Sequence, residues 1–174
     1  EDEPAALQHL CNIIRIKCQN FQVVGTAENG QEALEQLESF HPDILITDVK
    51  MPVMDGIMLA KRVKERYPDL LTVIISGYQD FSYAQSALRF GVCDYILKPV
   101  KPSVLQESLR ILKGRLDEYY YKMRNRIIHE MCAGNFTENP GFQQIFPEEE
   151  YYTALLRKNS LPRRFLESQG VEFF

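Results

Sequence analysis

DILITDVKMPVMDG, residues 43–56, is the stretch on which the reading of this 174-residue chain turns. An apolar run from Ile44 to Thr47 stops at an aspartate, and a turn rich in Pro, Met, Asp and Gly follows it. Runs that are apolar through successive residues, instead of at alternate ones, suit strands covered on both faces, as in a parallel sheet. Open parallel sheets build their sites outside the carboxyl ends of the strands, near the point where strand order reverses. Asp48 stands at such an end.

Working outward, three further runs have the same character: Phe21 to Ala27 (FQVVGTA), Leu70 to Ile75 (LLTVII) and Tyr95 to Leu97 (YIL). Between the runs lie helix-like stretches, Gln31 to Phe40, Gly56 to Tyr67 and Phe81 to Phe90, the last stopped by Gly91. This alternation reads as βαβ units wound into a three-layer α/β domain. Pro4 to Cys18 makes a first helix, with Pro4 early in it and Leu7, Leu10 and Ile14 along one face. A parallel α/β domain places a strand just before such a helix. The expectation is therefore that a first strand lies upstream and is missing from this chain, with EDE at residues 1–3 as its carboxyl-terminal edge.

The strand ends then carry Glu1 and Asp2, Asp48, Ser76 and Lys98. Singly, each has a plain explanation: Asp48 caps a turn, Ser76 starts the SGY turn, Lys98 is a solvated cation. Together they place three carboxylates, a hydroxyl and an ammonium on one edge. Clustered carboxylates repel one another unless a cation neutralises them, and Mg²⁺ favours a few carboxylates plus waters and phosphate oxygens. One carboxylate can act as a nucleophile toward phosphorus, while the lysine and hydroxyl hold the transferred group's oxygens. The position of Pro99, directly after a site residue in a tight turn, also predicts a cis Lys98–Pro99 bond.

EDE, DILITDVKMPVMDG, VIISGY and DYILKPV, in this order, resemble the receiver domain of two-component response regulators over residues 1 to about 115. The resemblance implies a flavodoxin-like, doubly wound, five-stranded parallel sheet in the order 2-1-3-4-5. It implies that Asp48 accepts phosphate from a sensor histidine kinase and that Mg²⁺ is held by Glu1, Asp2, Asp48 and the backbone carbonyl of Lys50. Lys98 and Ser76 would contact the phosphoryl group, with Ser76 and Tyr95 as the switch pair. The stretch SGYQDFSYAQSALRFGVCDYILKPV, residues 76–100, is similar to the Gram-positive subclass whose output is an AraC-type DNA-binding domain. DNA would be bound only through an output domain outside this sequence.

From Pro102 a helix is expected to run past the receiver. Leu105, Leu109, Leu112, Leu116, Tyr119 and Met123 keep the 4,3 spacing of a coiled-coil seam. The early leucines read as the face of the last receiver helix, whereas Leu116, Tyr119 and Met123 read as a homodimer seam in a linker helix over residues 116–133. Gly114 is a candidate bend. Residues 134–174 read as the start of a truncated middle domain, with a loop over 135–150 and a strand in YYTALLRKN.

Composition narrows the alternatives. A net charge of -4 gives no overall attraction to nucleic acid or anionic membrane, and the four cysteines show no metal or redox spacing. No apolar run approaches the roughly 20 residues needed to span a bilayer, so the expected setting is the cytoplasm. An aspartate-nucleophile phosphohydrolase would resemble a DxD pattern. Position 50 is lysine, which disfavours turnover of external substrates and an enzyme assignment. A pseudo-receiver that binds partners without phosphorylation is the other alternative.

Overall fold

The protein is represented by a computed structural model, which describes residues 1–77 and 89–132. The chain divides into two compact units, Glu1–Gly114 and Arg115–Phe174. Most of the expected helix at 81–90, and all that was expected of 134–174, lie outside the described residues.

In the first unit the elements run α1 (Pro4–Lys17), α2 (Gly30–Phe40), β1 (Ile44–Asp48), α3 (Gly56–Arg66), β2 (Leu71–Ser76) and β3 (Asp94–Leu97), then the long α4 (Pro102–Cys132) that continues beyond this unit. Side-chain oxygens fix two helix starts. Asn29 Oδ1 accepts from the Glu32 N–H at 2.9 Å and Asp55 Oδ1 from the Met58 N–H at 2.7 Å, caps that contribute about 1 kcal/mol each. Both stand at the sheet edge where the site lies, so capping also fixes where β1 hands over to α3.

The described strands are parallel, in the order β1-β2-β3. The successive-apolar pattern has the predicted cause: both faces of the sheet are covered. On one face Val73, Ile75 and Ile96 pack with Ile13 and Ile14 of α1 and with Leu105 and Leu109 of α4. On the other, Ile74 packs with Ala60 of α3, and Leu37 of α2 meets Leu59 and Val63 of α3 with Leu45 of β1 against them.

One strand expectation is corrected. Phe21–Ala27 is not a strand: it pairs with none of the described strands, and β1 is left at an edge of the sheet. The physical reason is that an extended segment becomes a strand only when a neighbour about 4.8 Å away completes its hydrogen bonds. Here Phe21–Ala27 and β1 both line a cavity of about 420 Å³. The cavity also explains why Ile44, Leu45 and Ile46 are only half-buried, although Val73 and Ile74 on the neighbouring strand are at 0% exposure.

α4 is one continuous helix from Pro102 to Cys132, Gly114 included. A Cβ at Gly114 would meet nothing within 4 Å, whereas at Gly56 it would drive into the backbone carbonyl of Asp48. Gly114→Ala is expected to stabilise the protein by roughly 0.5–1 kcal/mol, the helix propensity difference. Gly56→Ala is expected to destabilise it by displacing the end of β1. Urea denaturation of the two variants beside wild type checks the opposite signs.

Candidate functional site

The carboxyl ends of β1, β2 and β3 bring the predicted residues to one edge. Asp48 closes β1, Ser76 closes β2, and Lys98 follows β3 directly. The ladder sets their heights, because Asp48 pairs with Ile75 and Ser76 with Leu97. Glu1 reaches the same edge ahead of α1.

The Lys98 ammonium joins Asp48 to Glu1. Its Nζ lies 2.6 Å from Asp48 Oδ2 and 2.8 Å from Glu1 Oε2. The side chains of Lys98, Glu1 and Asp48 retain 27%, 8% and 11% of their exposure, so the three charges are largely withdrawn from water. Burial by itself would lower the Lys98 pKa. The hydrogen bonds it donates to Asp48 and Glu1, with the charges of those carboxylates, outweigh it and raise the pKa above the ordinary lysine value.

The other oxygen of Asp48 is held by main chain: Oδ1 accepts from the Val49 N–H at 2.6 Å and lies 3.4 Å from the Lys50 nitrogen. Both oxygens are thus oriented, one by backbone and one by a cation. Lys50 itself is exposed. Asp2 is exposed beside them, and one oxygen from each of Glu1, Asp2 and Asp48 falls within 4.8 Å of the others. Three converging carboxylate oxygens are the donor set that a hard divalent cation prefers.

Ser76 is fully buried, and its carbonyl accepts from the Lys98 N–H at 2.8 Å. Tyr95 stands opposite Ile74 in the ladder and packs against the cluster of Val49, Ala60, Ile74 and Val92. The Lys98–Pro99 bond is cis, as the sequence predicts. The residues of the proposed seam belong to the second unit. Leu116 and Met123 are half-buried, and Tyr119, at 39% exposure, meets Tyr120 edge-on at 5.5 Å.

Sequence reasoning missed two supports. Thr47 Oγ1 donates to the Asp48 carbonyl at 3.0 Å, and Gly56 leaves room for the Asp48 backbone. Only the glycine left a signal, in the closing DG of the opening motif.

Comparison with known proteins bears on these residues. A sequence model described as "Response regulator receiver domain" matches residues 1–110. The uncharacterized transcriptional regulatory protein YesN of Bacillus subtilis is 30% identical over 156 residues, covering 90% of this chain and 40% of the relative. The DNA-binding transcriptional regulator NtrC of Escherichia coli is 34% identical over 123 residues, covering 70% and 26%. The chain therefore spans less than half of either curated relative. Among solved structures, the REC domain of AraT, a response regulator from Geobacillus stearothermophilus, matches with a TM-score of 0.63 at 39% identity, covering 68% of this chain and 92% of that one.

The Lys98 cluster makes a pH prediction. A lysine with a raised folded pKa contributes stability that is complete below its unfolded value, about 10.4, and is lost as pH rises through the folded value. Lys98→Met lacks that contribution. In urea denaturation the deficit of the variant is expected to be wide at pH 7 and to narrow by about pH 11.

Proposed function

Because this chain belongs to the response regulator receiver-domain family, with its flavodoxin-like α/β fold and parallel sheet, we propose that Asp48 is the phosphoacceptor of a two-component response regulator. The observation that carries this reading is the Lys98 bridge to Asp48 and Glu1 at the strand ends. The phosphodonor is the phosphohistidine of a sensor histidine kinase. An Asp48 carboxylate oxygen forms the bond to phosphorus as the phosphorus–nitrogen bond breaks, and the electron pair stays with the departing imidazole. The product is an acyl phosphate on Asp48. Lys98 stands within reach of the phosphoryl oxygens and offsets their charge.

The acidic cluster fits Mg²⁺, held by Glu1, Asp2, Asp48 and the Lys50 carbonyl, and the ion supplies positive charge against the carboxylates and the phosphoryl group. Ser76 and Tyr95 form the switch. The Ser76 hydroxyl turns toward the new phosphoryl oxygens, and Tyr95 takes up the space released. Support comes from Ser76 being at 0% exposure at the end of β2 and Tyr95 lying one strand over. The complete sheet has five strands in the order 2-1-3-4-5, to which β1, β2 and β3 contribute the last three places.

The reading extends to the whole protein as follows. Residues 1–115 are the receiver, 116–133 a linker and dimer helix, and 134–174 the opening of a further domain. Transcription is regulated through a separate DNA-binding output domain, of AraC type by the stretch at residues 76–100. The transcriptional names of the YesN and NtrC relatives support regulation of transcription. No helix among the described residues is long and apolar enough to cross a membrane, in keeping with action in the cytoplasm. External substrates are not turned over, since Lys50 stands where a second aspartate would serve as general acid.

Acetyl phosphate with Mg²⁺ is expected to add one phosphoryl group to the full-length wild-type protein and none to Asp48→Asn, read by intact mass. Equal labelling would remove Asp48 from this role. Beryllofluoride is expected to raise the dimer fraction in sedimentation, and Tyr119→Glu with Met123→Glu to abolish the rise. Unchanged association in the double variant would place the seam elsewhere.

A further inference from the structure

Asn29 and Gly30 form the one Asn-Gly pair in the sequence, and the fold sets it where α2 meets the turn that follows β1. Asn29 caps α2 from extended backbone, at φ -153° and ψ 166°, and its Oδ1 accepts from the Glu32 N–H at 2.9 Å. Gly30 is buried, and its N–H donates to the Met54 carbonyl at 3.1 Å. A Cβ on Gly30 would come within 2.8 Å of that same carbonyl oxygen, so the close approach of α2 to the turn requires glycine here.

That requirement creates a chemically labile pair. An asparagine amide can close a five-membered ring with the next backbone nitrogen, and glycine, lacking a side chain, hinders the approach least. The Gly30 nitrogen gives up its proton and bonds to Asn29 Cγ, and the bond from Cγ to the amide nitrogen breaks as that nitrogen leaves as ammonia. Water then opens the succinimide at either ring carbonyl, giving aspartate or isoaspartate, so one water enters for each ammonia released. In the folded protein both reacting groups are engaged, Oδ1 with Glu32 and the Gly30 N–H with Met54, and ring closure needs Asn29 to leave its extended conformation. Asp55–Gly56 repeats the arrangement at α3, with Asp55 Oδ1 accepting from the Met58 N–H and the Gly56 N–H donating to the Val49 carbonyl at 2.9 Å. Asp55 carries a carboxylate, a poorer target for a nitrogen nucleophile than the Asn29 amide.

We propose that Asn29 is a site of spontaneous deamidation gated by the turn after β1. The Met54 side chain, at 7% exposure, packs with Leu37, Leu59 and Val63, and this anchor holds the Met54 carbonyl against Gly30. Reaction proceeds through local openings in which that carbonyl lets go of the Gly30 N–H. The isoaspartate product lengthens the main chain by one carbon just ahead of α2, which displaces Gly30 from the Met54 carbonyl and unties α2 from the turn leading out of Asp48. The modification accumulates as a record of how often that turn opens, and it does not depend on phosphoryl transfer at Asp48.

The test incubates the 174-residue protein in mildly alkaline buffer and follows Asn29 by peptide mapping that separates asparagine, aspartate and isoaspartate. Conversion in the folded wild type is expected to be slower than in the urea-unfolded chain by about tenfold or more. Met54→Val and Met54→Ala, successively smaller anchors, are expected to speed conversion in that order, by about threefold or more for the alanine variant, whereas Met54→Leu keeps the wild-type rate. Ile96→Ala, a truncation of comparable size on the opposite face of the sheet, is expected to leave the rate near wild type. Equal rates in the folded and unfolded wild-type chain overturn the proposal, as does isoaspartate forming first at Asp55. Equal acceleration by the Met54 variants and by Ile96→Ala makes global unfolding the gate and overturns it as well.

Discussion

Two carboxylates from distant parts of the chain share one cation at the edge of the sheet. Lys98 stands between Asp48 and Glu1, and none of the three charges would be withdrawn from water without the others. The position of each is in turn fixed by something apolar. Asp48 is carried there by β1 and Lys98 by β3, and the relative height of the two strands is set by Val73, Ile74 and Ile75 on β2, which are buried almost completely. The core thus acts on the site through register: a slip of one residue would turn Asp48 to the other face of the sheet and part the ion pair.

Much of this was legible in the residues because the governing signals are local. An unbroken apolar run followed by a charge is enough to mark a buried strand and its working end, and β1, β2 and β3 each fall within one residue of the runs that announced them. The long α4 was equally readable, since leucine spacing does not depend on what the helix faces. Phe21–Ala27 shows where local reading stops. Its composition is that of a strand, but strand identity belongs to a pair, and its side of the β1 edge has a cavity in place of a neighbour.

The candidate site divides along the same line. Asp48, Ser76 and Lys98 were found because each ends or follows a strand, and their convergence comes from the parallel topology. Their second supports were not found. That Thr47 braces the Asp48 carbonyl depends on the path of the turn from Lys50 to Asp55, in which Val53 takes the left-handed region at φ 64°. Such a conformation in a β-branched residue is uncommon, and no pattern of hydrophobicity announces it.

The span of the ion cluster has a consequence for the order of events as the chain is made. Lys98 is 97 residues from Glu1 and 50 from Asp48. Domains begin to fold while synthesis proceeds. Until residue 98 has emerged from the ribosome, the two acidic partners have no lysine to join them, and helices α1 to α3 can form around an edge that is still electrostatically incomplete. The nascent protein therefore passes through a stage at which its interior is being assembled but its charged corner does not exist. The corner closes only when the last strand of the sheet arrives.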